Sequence, residues 1–188
     1  MNAKFANNKV AVILGFYNGN HYIDAQIRSI LNQNFKNIDI FIFDDNSKKK
    51  LESKNLKINN KKYRIKITKR KTNLGYAKNF LLGLKEVGKE YDFYAFSDQD
   101  DIWEKDKISR GIKALNSNSL NFPKLYCSRT SYYNSECTKE IGSSKIHPKK
   151  PSFANALLQN IAGGNTIMMN NLARKIIIKT VNAEKFIS

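Results

Sequence analysis

Three carboxylates stand close together in the middle of the chain: Asp98, Asp100 and Asp101. They follow a largely apolar run, Tyr91 to Phe96, typical of a buried strand, and precede a helical pattern at Lys107 to Leu115. Like charges this close repel one another, and packing alone gives no reason to cluster them. Their hard oxygens suit a divalent cation, Mg²⁺ or Mn²⁺, that bridges to a phosphate. The alternative is a solvated acidic turn in which Asp101 caps the helix.

A second pair of carboxylates, Asp44 and Asp45, ends another apolar run, Ile38 to Phe43. The first apolar run of the chain, Val10 to Leu14, leads into a loop that carries Tyr17. Short continuous apolar runs predict strands that are covered on both faces. Because ligands of parallel sheets bind beyond the carboxyl ends of the strands, we expect these three loops to form one site.

Strand and helix patterns alternate along the chain, which predicts an α/β domain with a mainly parallel sheet flanked by helices. The other predicted elements are helix 21–32, strand 64–68, a helix from Asn73 as N-cap to about Gly88, strand 125–127, a short helix around Phe153, Ala156 and Leu157, strand 166–169, and helix 171–180. We expect this last helix to present Leu172, Ile176 and Ile177 to the core. The polar stretch 128–150 predicts a functional loop or a small hairpin. All of this fits one domain over residues 1–188, with residues 1–8 disordered.

The composition argues against several classes of protein. No run approaches the roughly 18 apolar residues of a membrane span, and the N-terminus has no signal-peptide pattern. Cys127 and Cys137 have no CxxC spacing, which fits a reduced, cytoplasmic compartment, and with His21 and His147 they make no credible zinc site. No GxGxxG follows the first strand, which argues against a dinucleotide enzyme.

The formal net charge is +17, and much of it lies in one segment. Between residues 48 and 71 there are twelve Lys or Arg against Glu52 alone, a net +11. Such a segment favours contact with an anionic membrane, a pyrophosphate-bearing substrate or nucleic acid, or is simply a solvated lysine-rich surface. Nucleic-acid modules interleave aromatic residues for stacking, and here only Tyr63 is available, so nucleic acid is the weakest of these.

Four segments, in this order and spacing, resemble the inverting family-two glycosyltransferases with the GT-A fold: FYNGNHYIDAQIRSILNQ, IDIFIFDDNS, NLGYAKNF and FYAFSDQDDIWEKDK. The form SDQDDIW is most similar to the bacterial branch of rhamnosyltransferases that build cell-surface polysaccharides. The likeness covers about residues 9 to 175. It implies a metal-assisted transfer of sugar from a UDP- or dTDP-sugar to a glycan or lipid-linked acceptor, in the cytoplasm at the inner face of the cell membrane.

The resemblance also implies a role for each matching residue. Those on the nucleotide side are Tyr17 beside the base, Asp45 or Asp44 as acceptor for the pyrimidine N3–H, Asn73 and Lys78 near the base and phosphates, and Asp98 near the ribose and metal. Asp100, together with Asp98, is implied to ligate the metal. Those on the sugar and acceptor side are Asp101, Trp103, Gly164 and Asn165.

The catalytic base has no candidate with the family's pattern. Relatives place it in an acidic or His–Asp motif beyond the final helix, whereas after Glu140 this chain has only Glu184 as an acidic residue. We therefore expect a domain that is short at its C-terminal, acceptor-binding end. A weakly catalytic nucleotide-sugar-binding domain without a base is the alternative. A phosphatase with an aspartyl nucleophile is disfavoured. In such enzymes the acidic pair follows the first strand, whereas in this chain it follows the fourth.

Overall fold

The computed structural model describes residues 7–52, 56, 64–117, 122–146 and 162–180. The elements are β1 (Val10–Phe16), α1 (Ile23–Leu31), β2 (Ile38–Asp44), β3 (Ile65–Lys69), α2 (Tyr76–Glu86), β4 (Phe93–Ser97), α3 (Lys107–Asn116), β5 (Leu125–Cys127), β6 (Ser131–Tyr133), β7 (Glu140–Ser143), a short 3₁₀ helix (Gly164–Thr166), β8 (Ile167–Asn170) and α4 (Asn171–Thr180). A six-stranded sheet has the order β3-β2-β1-β4-β8-β5, and β6 and β7 form a separate pair. The predicted α/β class with a mainly parallel sheet is confirmed. Within the described ranges, no helix has the length and apolar character needed to cross a membrane.

The first four strands run parallel, with β1 between β2 and β4. Val10 to Leu14 in β1 are 0% exposed, because helices cover both faces of the sheet. From β1 the chain moves outward to β2 and β3 and then returns to the other side of β1 as β4. This reversal of strand order at β1 is a switch point, and ligands of parallel sheets bind beyond the carboxyl ends of the strands at such a point.

The strand β8 pairs antiparallel with β4, and β5 pairs antiparallel with β8. The amino end of β8 and the carboxyl end of β5 therefore lie at the same edge as the carboxyl ends of the parallel strands. Beyond β5, the polar stretch that predicted a loop or small hairpin contains the antiparallel pair β6–β7, whose residues are exposed on both strands.

Two apolar layers flank the sheet. One face packs against Ile27 and Ile30 of α1 and Ile108 and Ile112 of α3. The other face packs against α2 and α4. The hydrophobic spacing that predicted α1 and α3 also identified their buried faces, whereas in α2 Phe80 and Leu84 are buried but Ala77, at the same helical spacing, is exposed.

Two local predictions were wrong. Asn73 is not the N-cap of α2, because the helix begins at Tyr76 after Gly75, whose φ is 78°. In α4, Ile177 packs against the core as predicted, but Ile176 is 48% exposed, and Ala173 and Arg174 occupy the buried positions. Three consecutive isoleucines at 176–178 give no unique apolar stripe, so the periodicity could not decide which of them faces the core. The predicted helix around residues 153–157 lies outside the described residues.

Arg174, on α4, caps the C-terminal end of α2. Its Nε donates to the Leu84 carbonyl at 3.2 Å, and its Nη2 donates to the Val87 carbonyl. The guanidinium carbon lies 5.0 Å from the centre of the Tyr94 ring. Carbonyls at a helix end have no intrahelical donor, so a buried cation here satisfies groups that water cannot reach.

We expect Arg174→Met to lower the free energy of unfolding by about 2 kcal/mol, because it keeps much of the apolar stem but leaves the buried carbonyls without a donor. Urea denaturation measures the change. The matched control is Arg110→Met, which removes a surface arginine from an exposed pair with Asp106 and should cost at most about 0.5 kcal/mol. Equal losses in the two variants would contradict the capping role of Arg174.

Candidate functional site

The loops after β1, β2 and β4 meet at one edge of the sheet and are hydrogen-bonded to one another. The Asp45 N–H donates to the Phe16 carbonyl at 2.8 Å, and the Asn18 N–H donates to Ser47 Oγ at 2.9 Å. The Tyr17 N–H donates to Gln99 Oε1 at 2.8 Å. The expected convergence is therefore present: Tyr17, the carboxylates Asp44 and Asp45 at the end of β2, and the loop after β4 lie at one edge. We call this last loop, which carries Asp98, Asp100 and Asp101, the acidic loop.

Asp45 shapes the turn that precedes α2. Its carboxylate accepts hydrogen bonds from the N–H groups of Leu74 at 2.8 Å and Gly75 at 2.9 Å. The Asn73 side-chain amide donates to the Asp45 carbonyl at 3.2 Å. These contacts give Asp45 and Asn73 a shared place at the edge of the site, and they explain why the helix starts at Tyr76 rather than after Asn73.

Asp44 is fully buried beside Asp45. Its Oδ1 accepts a hydrogen bond from the Ser47 N–H at 2.8 Å, whereas its Oδ2 has no hydrogen-bond partner within the described residues. A buried carboxylate oxygen without a donor is costly. Of the two aspartates, Asp44 is the one with a buried acceptor atom still to be satisfied.

The three carboxylates of the acidic loop differ in solvent exposure. Asp100 is exposed, and Asp98 and Asp101 are half-buried. Burial, followed by the charges of Asp101 and Asp100, raises the pKa of Asp98 to about 6. Burial also raises the pKa of Asp101, although a hydrogen bond from Asn165 opposes the shift. The loop therefore concentrates negative charge that is only partly hydrated.

This charge fits a divalent cation. Asp98 and Asp100 offer hard oxygens, and a bound cation would offset the burial and the repulsion that together raise the pKa of Asp98. Over the part of the chain that the structure describes, no three His, Cys, Asp or Glu side chains group into a complete metal site. A cation held here would need further ligands from a diphosphate and water, as is usual for Mg²⁺.

A buried glutamine on α1 fixes the far side of the acidic loop. With its oxygen toward Ser97 and Trp103, the Gln26 amide accepts from Ser97 Oγ at 2.6 Å and Trp103 Nε1 at 3.1 Å, and donates to the Asp101 carbonyl at 2.5 Å. The Trp103 N–H donates to Ser29 Oγ at 2.9 Å, and the Trp103 side chain is only 5% exposed within the core. Trp103 thus anchors the loop, and any effect on a bound sugar acts through the loop backbone.

Asn165 and Lys107 connect the acidic loop to the second half of the sheet. The Asn165 amide, in the 3₁₀ helix that also contains Gly164, donates to Asp101 Oδ2 at 2.7 Å. Lys107 donates from Nζ to Ser128 Oγ at 3.1 Å and lies 5.0 Å from the centre of the Trp103 ring.

Lys78 lies half-buried in the first turn of α2.

Sequence reasoning missed three of the residues that hold these loops together: Gln26, Gln99 and Lys107. The one signal available was a polar residue in an apolar stripe: Gln26 lies among Ile23, Ile27 and Ile30 and is 0% exposed.

A parallel sheet with a switch point and carboxylates at its carboxyl edge is the architecture of the GT-A class of sugar transferases. The chain belongs to glycosyl transferase family 2, whose family model matches residues 11–184.

Relatives with known names lie in the same family. The chain is 40% identical over 111 residues to the dTDP-rhamnosyl transferase RfbG of Shigella flexneri, a match that covers 56% of this chain and 37% of that protein. It is 32% identical over 116 residues to the UDP-Glc:alpha-D-GlcNAc-diphosphoundecaprenol beta-1,3-glucosyltransferase WfgD of Escherichia coli, covering 60% of this chain and 43% of that protein. Among solved structures, S. aureus TarS 1-349 matches with a TM-score of 0.50 and 25% identity over 57% of this chain and 32% of that chain. The matched segment thus covers less than half the length of each of these proteins.

Lys107 makes stability depend on pH in a defined direction. Burial lowers the pKa of its ammonium to about 8, while the Asp101 carboxylate acts in the opposite direction. Between pH 8 and about 10.5, the unfolded chain binds this proton and the folded chain does not, so the free energy of unfolding rises with pH.

We therefore expect wild-type protein to gain stability relative to Lys107→Met, on the order of 2 kcal/mol, as pH rises from 7 to 10. Urea titrations at each pH measure this difference. Lys113→Met on the exposed side of α3 is the control and should show no such trend. A constant difference between wild type and Lys107→Met at every pH would refute the shifted pKa.

Proposed function

We propose that this chain binds a nucleoside-diphosphate sugar together with Mg²⁺ or Mn²⁺ and transfers the sugar, with inversion, to a surface-glycan or lipid-linked acceptor. The observation that supports this most is the meeting of Tyr17, Asp45 and the acidic loop at the switch point of a parallel sheet. Membership of glycosyl transferase family 2 gives independent support.

The donor would be a pyrimidine nucleotide sugar. The names of RfbG and WfgD specify dTDP and UDP donors, and TarS 1-349 has been solved in complex with UDP. Tyr17 is 46% exposed, so its ring is available to flank a base, and Asp45, or Asp44 beside it, would accept a hydrogen bond from the pyrimidine N3–H. Asn73 and Lys78 complete this side, where the amide would face the base and the ammonium the phosphates.

The acidic loop would face the diphosphate and the sugar. As the glycosidic bond of the donor breaks, negative charge grows on the leaving diphosphate. A divalent cation bound by Asp100 and Asp98 would supply Lewis-acid stabilisation of that charge. Asp101, held by Asn165 at 2.7 Å, and the Gly164 turn would border the sugar and the acceptor. Inversion also needs a base that takes the proton of the acceptor hydroxyl, and we assign that role to no described residue.

We expect calorimetry to show that UDP or dTDP binds in the presence of Mn²⁺, and that Asp100→Asn weakens this binding at least tenfold because a hard anionic ligand is lost. The matched control is Asp106→Asn, which changes an exposed aspartate six residues further on and should keep the affinity within about twofold. Failure of wild-type protein to bind either nucleotide, or equal affinity in the Asp100 variant, would overturn the proposal.

A transfer assay then separates the enzyme from the alternative, a nucleotide-sugar-binding domain without a base. Nucleotide-sugars that stabilise the protein in a thermal-shift screen with Mn²⁺ are incubated with glycan acceptors, and released UDP or dTDP is measured. Release that depends on acceptor supports transfer. Tight donor binding without any release, under all conditions tested, supports the binding domain.

Membrane contact is a separate part of the proposal. Lys48, Lys49 and Lys50 follow β2 at the same edge as the site and are exposed. An anionic membrane surface attracts such residues by about 1 kcal/mol for each one that reaches it. A lipid-linked acceptor at the inner membrane face would then lie near the opening of the site.

We expect the protein to co-sediment with anionic vesicles at low salt and not with neutral ones. Replacing the three lysines at 48–50 by glutamine should weaken this binding at least tenfold. Replacing Lys85, Lys89 and Lys113, which are exposed elsewhere, removes the same charge and should have a smaller effect. Equal sedimentation with neutral and anionic vesicles would exclude an electrostatic membrane contact.

A further inference from the structure

We propose that Gln99, between the two expected metal ligands, is a positioning residue that aligns the nucleobase half of the site with the diphosphate half. The inference rests on the proposed donor-binding function. It concerns how two half-sites formed by loops far apart in sequence are kept in register.

The Gln99 amide makes a two-point contact with the backbone of Tyr17. Its Oε1 accepts a hydrogen bond from the Tyr17 N–H at 2.8 Å, and its Nε2 donates to the Tyr17 carbonyl at 3.1 Å. One amide thus satisfies both backbone groups of a residue 82 positions away. Such a pair fixes distance and orientation together, which a single hydrogen bond does not.

Gly19 leaves the space that this amide occupies. A Cβ atom at Gly19 would lie 2.2 Å from Gln99 Cδ, 2.3 Å from Oε1 and 2.5 Å from Nε2. Gly75 is the glycine with a positive φ in the described part of the chain, so at Gly19 the requirement is space rather than backbone conformation. The β1 loop therefore approaches the Gln99 amide closely at Gly19.

The contact continues toward the β2 aspartates. Asn18 donates from its N–H to Ser47 Oγ at 2.9 Å and accepts from the Lys48 N–H at 3.0 Å. The Ser47 N–H in turn donates to Asp44 Oδ1 at 2.8 Å. A continuous set of hydrogen bonds thus runs from the acidic loop through Gln99 and the β1 loop to the expected base-binding residues.

Alignment has a specific thermodynamic signature. A ligand that spans both half-sites gains from their fixed relation, because its second contact is made at high effective concentration. A ligand that fills only one half-site gains nothing from that relation. Loss of Gln99 should therefore weaken UDP with Mn²⁺ much more than it weakens uridine or Mn²⁺-pyrophosphate.

The experiment measures the dissociation constants of UDP with Mn²⁺, of uridine and of Mn²⁺-pyrophosphate, the last two by competition against UDP. We expect Gln99→Met, which keeps the length of the side chain but not its hydrogen bonds, to weaken UDP with Mn²⁺ about tenfold. The same variant should change the affinity of each half-ligand by less than about twofold. Gln99→Glu keeps the acceptor but loses the donor to the Tyr17 carbonyl, so it should not restore the wild-type affinity for UDP.

Gly19→Ala tests the same contact from the other side, because its methyl group would displace the Gln99 amide. It should reproduce the pattern of Gln99→Met. The matched control is Gly142→Ala in β7, where the nearest atom to an added Cβ is 3.8 Å away and no change in affinity is expected. Melting temperatures of all variants exclude unfolding as the cause.

The outcomes are distinct. If wild-type protein binds neither UDP nor dTDP with Mn²⁺, the proposed function and this inference fail together; if it binds only dTDP, dTDP and thymidine replace UDP and uridine in the same comparison. If wild type binds but Gln99→Met matches it, the inference alone fails. If Gln99→Met weakens uridine, Mn²⁺-pyrophosphate and UDP by the same factor, Gln99 acts on the loops in general and the aligning role is wrong.

Discussion

The parallel pairing of β1 with β2 on one side and β4 on the other is the constraint on which the site depends. In this register Phe16 lies level with Asp44, and Leu14 lies level with both Ile42 and Ser97. The carboxyl ends of β1 and β2 are therefore level, and the end of β4 lies two residues short of them at the same edge. Because side chains alternate between the two faces of a strand, a slip of one residue would move each β1 side chain to the apolar layer on the opposite face and would also displace the loops. Register, and hence the site, therefore depends on how the β1 side chains pack in the two layers.

Polar side chains then hold the loops that the sheet brings together. Many of the buried polar residues lie at or near this edge: Gln26, Ser29, Asp44, Asp45, Ser47, Asn79 and Ser97. Irregular loops cannot satisfy their own N–H and carbonyl groups, and side-chain amides and carboxylates take the place of a strand partner. The Asn79 amide, for example, donates to the Phe43 carbonyl at 2.8 Å where β2 is about to end. The precision of the site therefore comes from buried hydrogen bonds between loops, supported by the core beneath them.

The sequence predicted the strands, most of the helices and the edge at which the acidic residues meet, because these follow from local apolar patterns. It did not predict contacts between residues that are distant along the chain. The helix after Asn73 starts at Tyr76 because the carboxylate of Asp45 holds the preceding N–H groups, and no local pattern contains that information. The role of Gln99 depends on Tyr17, 82 residues earlier. The roles predicted for residues that would contact the membrane, the acceptor or the metal stay predictions. They depend on how this chain binds other molecules, which its own packing does not determine.

The electrostatics of the site give the reason why this edge is suited to a charged ligand. The chain carries a net charge of +17, yet its acidic loop keeps three aspartates together, and repulsion among them contributes to the raised pKa of Asp98. Burial raises the pKa of Asp101, and the smaller opposing effects of Asn165 and of the Lys107 charge do not cancel it. A folded protein tolerates clustered like charges where a bound ligand balances them. A divalent cation would neutralise the carboxylates of the acidic loop. The phosphates of the diphosphate would then lie near the basic residues around the site.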